Sequence, residues 1–249
     1  MICKSNNKDE SINCANCVNN NNKKTIFDSL STDEVSCIAN YVEKKSTYSA
    51  GEYLINEHEE ANFSLCIDFG YLILGTHLED GSRQIFKVVF PGESIGFSNN
   101  KGDYSYFVQA VTDSEVCIIN DASVKKLLED HSSVALHLVD ILSNNANSYQ
   151  QYLLGLGRKN AQEALAYLIM DVSTKVKQSK GLKCNGTGED LCFFPLNQED
   201  MADVLGLTKV HISRVMSQFK KDNLIRCAHK KLNVLDVSAL SDIGGYLPP

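Results

Sequence analysis

One stretch constrains the fold of this 249-residue chain more than any other: residues 198–225 read QEDMADVLGLTKVHISRVMSQFKKDNLI. Asn197 stands where a helix N-cap is needed, and Met201, Ala202 and Leu205 then supply an apolar helical face. Gly206 breaks that helix, and Thr208 opens a second one as its N-cap. Leu207 is placed to plug the angle between the two. Ile212, Val215 and Phe219 give the second helix a buried face, which leaves Lys209, Val210, His211, Ser213 and Arg214 on its exposed N-terminal part. Two helices joined by a tight turn, the second offering its N-terminal face, form a helix-turn-helix, whose second helix enters the major groove of double-stranded DNA. LIRCA and LNVLDV, on either side of HKK, then read as a hairpin. An ordinary helical hairpin shares the apolar spacing but leaves the turn, the bases and the following hairpin unexplained.

Charge follows the same map. The net charge of −7 argues at first against a nucleic-acid partner, but its distribution reverses that reading. Between Thr208 and Lys231 stand seven bases (Lys209, Arg214, Lys220, Lys221, Arg226, Lys230, Lys231) and one acid, Asp222. A local +6 on an otherwise acidic chain is a phosphate footprint; on charge alone, a solvated helix face fits equally well.

Upstream, the pattern divides the chain further. Residues 1–24 are polar and Asn-rich, a tail that is disordered or ordered only by a cofactor. Ser31 to Glu34 read as a capping box opening a short helix with Val35, Ile38, Ala39 and Val42 apolar. From about 46 to 120, short alternating runs (EYLIN, SLCIDF, YLILGTHL, RQIFKVVF, FVQAV, EVCIIN) alternate with Gly- and Pro-bearing turns, the signature of a β-sandwich or barrel. Helical periodicity returns from 121 to about 178. Within 132–157, Val134, Leu138, Ile141, Asn145, Ser148 and Tyr152 fall at steps of four and three, a coiled-coil-like seam with two polar positions. A second helix at about 158–178 carries Ala161, Leu165, Leu168, Ile169 and Val172, and the apolar run LCFFPL at 191–196 reads as a short strand.

The runs LGLTKVHISR (205–214), LLGLGRKNAQEALAYLI (153–169) and PGESIGF (91–97), in this order of β-domain, long helix and helix-turn-helix, resemble FNR-type members of the CRP/FNR family over about residues 25–240. The resemblance implies an α+β chain: an N-terminal β jelly roll of the cyclic-nucleotide-binding kind at 25–131, a long dimerisation helix at 132–157, and a C-terminal winged helix-turn-helix at 158–249, with the tail at 1–24. It implies a homodimer that binds a palindromic operator and works with RNA polymerase. Arg214 falls where the family's arginine reads guanine, and Ser213 matches the serine of FNR members. Val210 departs from the glutamate common there, so that cytosine N4 loses its acceptor while a thymine methyl gains an apolar contact. Lys209 and His211 are placed for phosphate or for solvent.

Two further comparisons bear on the signal. In members that bind cyclic AMP, a glutamate holds the ribose and an Arg-Ser pair the phosphate; here those positions are Phe97, Tyr104 and Ser105. Without the arginine a buried phosphate lacks charge compensation, so no cyclic AMP is expected. FNR proteins instead hold an oxygen-labile [4Fe–4S] cluster with an N-terminal cysteine group and one distant cysteine. Cys14, Cys17 and Cys117 match that arrangement, and Cys3 is the candidate for the missing N-terminal ligand, since NNNNKK follows Cys17. Cys37 is a second candidate that falls in a helical pattern. A thiol switch, a zinc site or no metal at all fits the same residues, leaving a cluster-free or constitutively dimeric regulator as the alternative.

Enzyme chemistry has no foothold here: the sequence carries no P-loop, HExxH or GxSxG, and its six histidines are scattered. Nine cysteines without a secretion signal (the chain begins MICKSNNKDE) imply a reducing cytoplasm rather than disulfides, and no apolar run is long enough for a membrane.

Overall fold

The computed structural model describes residues 39–59, 62–96, 104–180, 192–228 and 230–247. The tail, the helix expected after Ser31, Phe97, and Cys3, Cys14, Cys17 and Cys37 lie outside the described residues. The chain divides into two compact units, one built from the chain up to Leu74 with Val89–Asn145, the other from Gly75–Val88 with Ala146–Pro249.

The alternating runs become strands: β1 (Lys44–Tyr48), β2 (Tyr53–Ile55), β3 (Phe63–Phe69), β4 (Leu72–His77), β5 (Arg83–Val89), β6 (Ser94–Ile95), β7 (Phe107–Ala110) and β8 (Ser114–Asn120). They form two four-stranded sheets, in the orders β1-β8-β3-β6 and β2-β7-β4-β5. Period-two alternation sends Leu65, Ile67, Val116 and Ile118 from the first sheet against Ile55, Leu72, Leu74 and Val108 from the second, and this is the core of the first unit. Two strands escaped the sequence pattern. β1 reads KKSTY at a sheet edge, where no apolar alternation is needed, and β6 is only two residues long.

The other face of the first sheet is covered by helices. Asn120 caps α1 (Asp121–Asp130), accepting from the Ser123 amide at 2.8 Å, and α2 (Ser132–Arg158) follows. Leu127 of α1 and Val134 of α2 bury against Cys66 and Cys117 of the sheet, with Tyr41, Val42 and Ile141 packed around them.

In the second unit, α3 (Ala161–Lys180) is the central helix, with Leu165, Leu168 and Ile169 fully buried. It starts at Ala161 rather than at about 158 because Asn160 caps it: the Asn160 side chain accepts from the Gln162 and Glu163 amides, and the Glu163 carboxylate accepts from the Asn160 amide. β9 (Cys192–Phe193), α4 (Gln198–Leu205), α5 (Lys209–Lys221), β10 (Ile225–Ala228), β11 (Lys231–Val234) and α6 (Val237–Gly244) complete it. The three strands form one antiparallel sheet in the order β10-β11-β9, so the expected hairpin gains a third strand. The sequence reading ran the last strand through Val237. Instead Asp236 caps α6 by accepting from the Ala239 amide at 2.9 Å.

Gly70, between β3 and β4, is required by space as much as by its φ of +90°: an added Cβ would stand 2.5 Å from the Asp113 carbonyl oxygen and 2.7 Å from the Ser114 Cα. At Gly51, with φ +93°, an added Cβ meets nothing within 4 Å. Gly70→Ala is therefore expected to cost about 1–3 kcal/mol more than Gly51→Ala, the backbone strain being common to both and the overlap confined to one. Urea unfolding of the two variants measures the difference, and equal losses would refute the steric account.

Candidate nucleic-acid interface

The helix-turn-helix forms as its sequence dictates. Asn197 caps α4 with a reciprocal box: its side chain accepts from the Glu199 and Asp200 amides, and the Asp200 carboxylate accepts from the Asn197 amide at 3.0 Å. Met201, Ala202 and Leu205 are buried, as their spacing requires, together with Val204. Gly206 takes the left-handed conformation (φ 61°, ψ 31°) that ends α4. Thr208 then caps α5, its side chain accepting from the His211 amide. Ile212, Val215 and Phe219 are buried, and so is Met216, which the spacing argument had passed over.

Lys209, Val210, His211, Ser213 and Arg214 are all exposed, and Val210 keeps 60% of its accessible surface. They occupy the first turn and a half of α5, where unpaired amides and the positive helix end favour phosphate. Lys209 also pairs with Glu199 at 3.2 Å, an exposed contact that an incoming phosphate can displace. All seven bases between Thr208 and Lys231 are exposed, on α5 and along the β10–β11 hairpin. The arrangement presents a helix of groove-reading size beside a basic hairpin, with little negative charge between them.

A second contact within this unit had no sequence signal. Arg83, at the start of β5, reaches α4: its guanidinium donates to Asp203 at 2.7 and 3.0 Å and to Asp200 at 3.1 Å. Beside it, the Gln84 amide donates to the Val204 carbonyl at 3.2 Å. The pairing of an arginine with two carboxylates that lie over a hundred positions away depends wholly on how the chain folds back.

The long helix corrects the expected seam. Val134, Leu138, Ile141, Asn145, Ser148 and Tyr152 are buried or half-buried against their own chain. Val134 and Ile141 pack on the Cys66–Cys117 layer. Tyr152 donates to Asp171 at 2.7 Å and stacks edge-on with Tyr167, and its burial beside that carboxylate holds the phenol well above its usual range. The solvent-facing apolar stripe is instead Val139, Leu142, Ala146, Tyr149, Leu153 and Leu156, the same three-four repeat one residue further on. One residue is a rotation of about 100°. The sequence thus offered two stripes, and only packing could say which one the chain keeps for itself.

In the β-domain, Tyr104 is buried in the sandwich core and its hydroxyl lies 3.1 and 3.2 Å from the carbonyl oxygens of Phe63 and Gly96, to which it donates. Burial raises its pKa, with Asp121 adding to the effect, so it remains a donor. Ser105 is exposed. Cys117 is buried opposite Cys66 on the neighbouring strand. None of the described helices is long and apolar enough to cross a membrane.

A β-sandwich, a long helix with an exposed apolar stripe and a basic winged helix-turn-helix define a DNA-binding transcription regulator. Two family models match, "Cyclic nucleotide-binding domain" over residues 45–131 and "Crp-like helix-turn-helix domain" over 152–243. Among curated proteins, the chain is 27% identical over 201 residues to the transcriptional activator protein FnrL of Cereibacter sphaeroides, covering 80% of this chain and 79% of that one. It is 26% identical over 217 residues to the fumarate and nitrate reduction regulatory protein of Vibrio cholerae, covering 87% and 84%. Among solved structures, FixK2 from Bradyrhizobium japonicum shares the fold with a TM-score of 0.72 at 22% identity, over 82% of this chain and 98% of that one. A CooA mutant from Carboxydothermus hydrogenoformans does so with a TM-score of 0.63 at 18% identity, over 81% and 87%. The chain belongs to the CRP/FNR family of transcription regulators, and it is not an enzyme.

Proposed function

We propose that this chain is an oxygen- or redox-responsive regulator that reads a palindromic DNA operator as a homodimer and acts with RNA polymerase. One observation carries the reading. The N-terminal half of α2 packs on the Cys66–Cys117 layer through Val134 and Ile141, while Val139 and Leu142 on the same turns face outward. A change at the thiol layer therefore bears directly on the helix that offers the apolar stripe. The names of the relatives, a fumarate and nitrate reduction regulator and FnrL, support the same signal class.

The fitting signal group is a [4Fe–4S] cluster, which supplies an oxygen-sensitive centre when bound. The donor chemistry is suitable: Cys117 is a buried thiol in an apolar layer with a second thiol beside it. No three His, Cys, Asp or Glu side chains converge among the described residues, so further ligands must come from the segment that holds Cys14-x-x-Cys17 and Cys3. The exposed stripe takes a second copy of this chain, because its three-four repeat of Val139, Leu142, Ala146, Tyr149, Leu153 and Leu156 is self-complementary about a twofold axis. Cyclic AMP is not the signal: Tyr104, at the position where the resemblance implies the phosphate-holding arginine, is part of the sandwich core and brings no positive charge. Titration calorimetry is expected to show no heat with cyclic AMP, and micromolar binding would overturn this exclusion.

Arg214 reads guanine and Ser213 assists it, while Val210 offers a thymine methyl an apolar contact and Lys209 and His211 face phosphate. Arg214→Ala is expected to lose about 1–3 kcal/mol per half-site on duplexes selected by the wild-type protein from a random pool. Unchanged affinity and selectivity would place the recognition face elsewhere.

A dimer held by one helix stripe is weak enough for a few kcal/mol to shift it. Anaerobically prepared protein is expected to sediment as a dimer, and air-exposed and Cys117→Ser protein mainly as monomers that bind the operator poorly. Leu153→Glu places like charges near one another across the axis and is expected to raise the dimer dissociation constant at least about 100-fold in any atmosphere. If all these proteins sediment and bind DNA alike, the constitutive dimer replaces the oxygen switch.

A further inference from the structure

Between the end of α2 at Arg158 and the start of α3 at Ala161 stand only Lys159 and Asn160. A link this short does not by itself set one angle between two helices. Yet α4 and α5 pack on α3, so the angle at this corner decides how the recognition helix stands relative to the C-terminal half of α2. From Ala146 onward, all of these residues belong to the second unit. The vertex is held by the far end of the chain. The Lys159 amine donates to the Gly244 carbonyl oxygen at 2.6 Å and lies 4.2 Å from the centre of the Tyr167 ring. Gly244 is the last residue of α6, and the final carbonyls of a helix lack partners within it and favour a cation.

Further contacts hold the arms of the corner. A Cβ added at Gly244 would stand 2.7 Å from the Tyr167 nitrogen and 3.0 Å from its Cα, so the end of α6 rests directly on the backbone of α3. Gly245 then turns left-handed (φ 59°), and Tyr246, which is buried, packs edge-on against Tyr167 with ring centres 5.5 Å apart. From α2, Tyr152 packs edge-on against the same ring at 5.8 Å and donates to Asp171 of α3 at 2.7 Å. The long helix, the corner, α3 and the end of α6 thus meet at one aromatic ring. Apolar packing alone lets helices slide, whereas a buried phenol–carboxylate bond and a lysine on a helix carbonyl are directional, and each restricts the angle.

We propose that the Lys159–Gly244 and Tyr152–Asp171 bonds are positioning elements: they set the corner between α2 and α3, and with it the half-site separation that the dimer accepts. They act on DNA only through the recognition helix. This rests on the dimer and operator reading above. One base pair more or fewer between half-sites moves one of them by about 3.4 Å and turns it by about 35°, a misfit that only a rigid corner rejects. The full chain is titrated onto duplexes carrying two half-sites selected by the wild-type protein, at the selected separation and at one base pair more or fewer, and onto a duplex with one half-site. Wild type is expected to bind the altered separations at least about tenfold less tightly, and Lys159→Met to narrow that ratio to about threefold or less. Lys159→Met is expected to keep the wild-type affinity for one half-site. Lys159→Arg, which can still donate to the carbonyl, is expected to restore the ratio. Tyr152→Phe, which keeps the ring and loses the bond to Asp171, is expected to narrow it as well. Circular dichroism checks that the variants are folded, and if Lys159→Met is not, Tyr152→Phe decides the matter alone. An unchanged ratio in a folded variant overturns the assignment. So does an equal loss at every separation, which is what destabilisation without repositioning would produce. Wild-type protein that binds two half-sites no more tightly than one overturns the dimeric reading beneath it.

Discussion

The structure turns on a single helix that must satisfy two neighbours at once. The long helix Ser132–Arg158 has one apolar edge fixed by burial against its own chain, through Val134, Ile141 and Tyr152. Once that edge is committed, the rotation of the helix is fixed, and with it the direction of Val139, Leu142, Leu153 and Leu156. Exposed leucines at 46–66% accessibility in a three-four repeat are costly for an isolated chain and ordinary for a helix awaiting a partner. The last residue of the inward edge also finds a polar use there: Tyr152 donates to Asp171, which Lys175 joins at 2.9 Å.

The thiol layer lies on the inward side of the same helix. Any change in what the sheet face holds must be accommodated by Val134 and Ile141, which pack on it. Packed interiors yield in discrete steps rather than continuously, so a modest local rearrangement can move a helix as a body.

The DNA-reading end needs no such device. Its cap, turn and buried residues agree at every level, from the Asn197 box to the left-handed Gly206 and the inward Ile212, Val215 and Phe219. Arg83 adds a brace on the outside of α4, bonded to Asp200, a residue that already belongs to the cap.

The sequence by itself determined what short-range chemistry can encode. Caps, the glycine turn and helical periodicity placed α4 and α5 almost to the residue, and alternation placed most of the strands. It also marked the exposed set from Lys209 to Arg214, because a helix N-terminus and its buried face are both local properties. Tertiary structure decided whatever depended on partners distant in sequence. It chose between two heptad stripes one residue apart, because only the sheet beneath could say which would be buried. It paired Arg83 with Asp200 and Asp203. It set Cys66 beside Cys117, two cysteines with no sequence spacing to link them, because strand register alone brings such residues face to face.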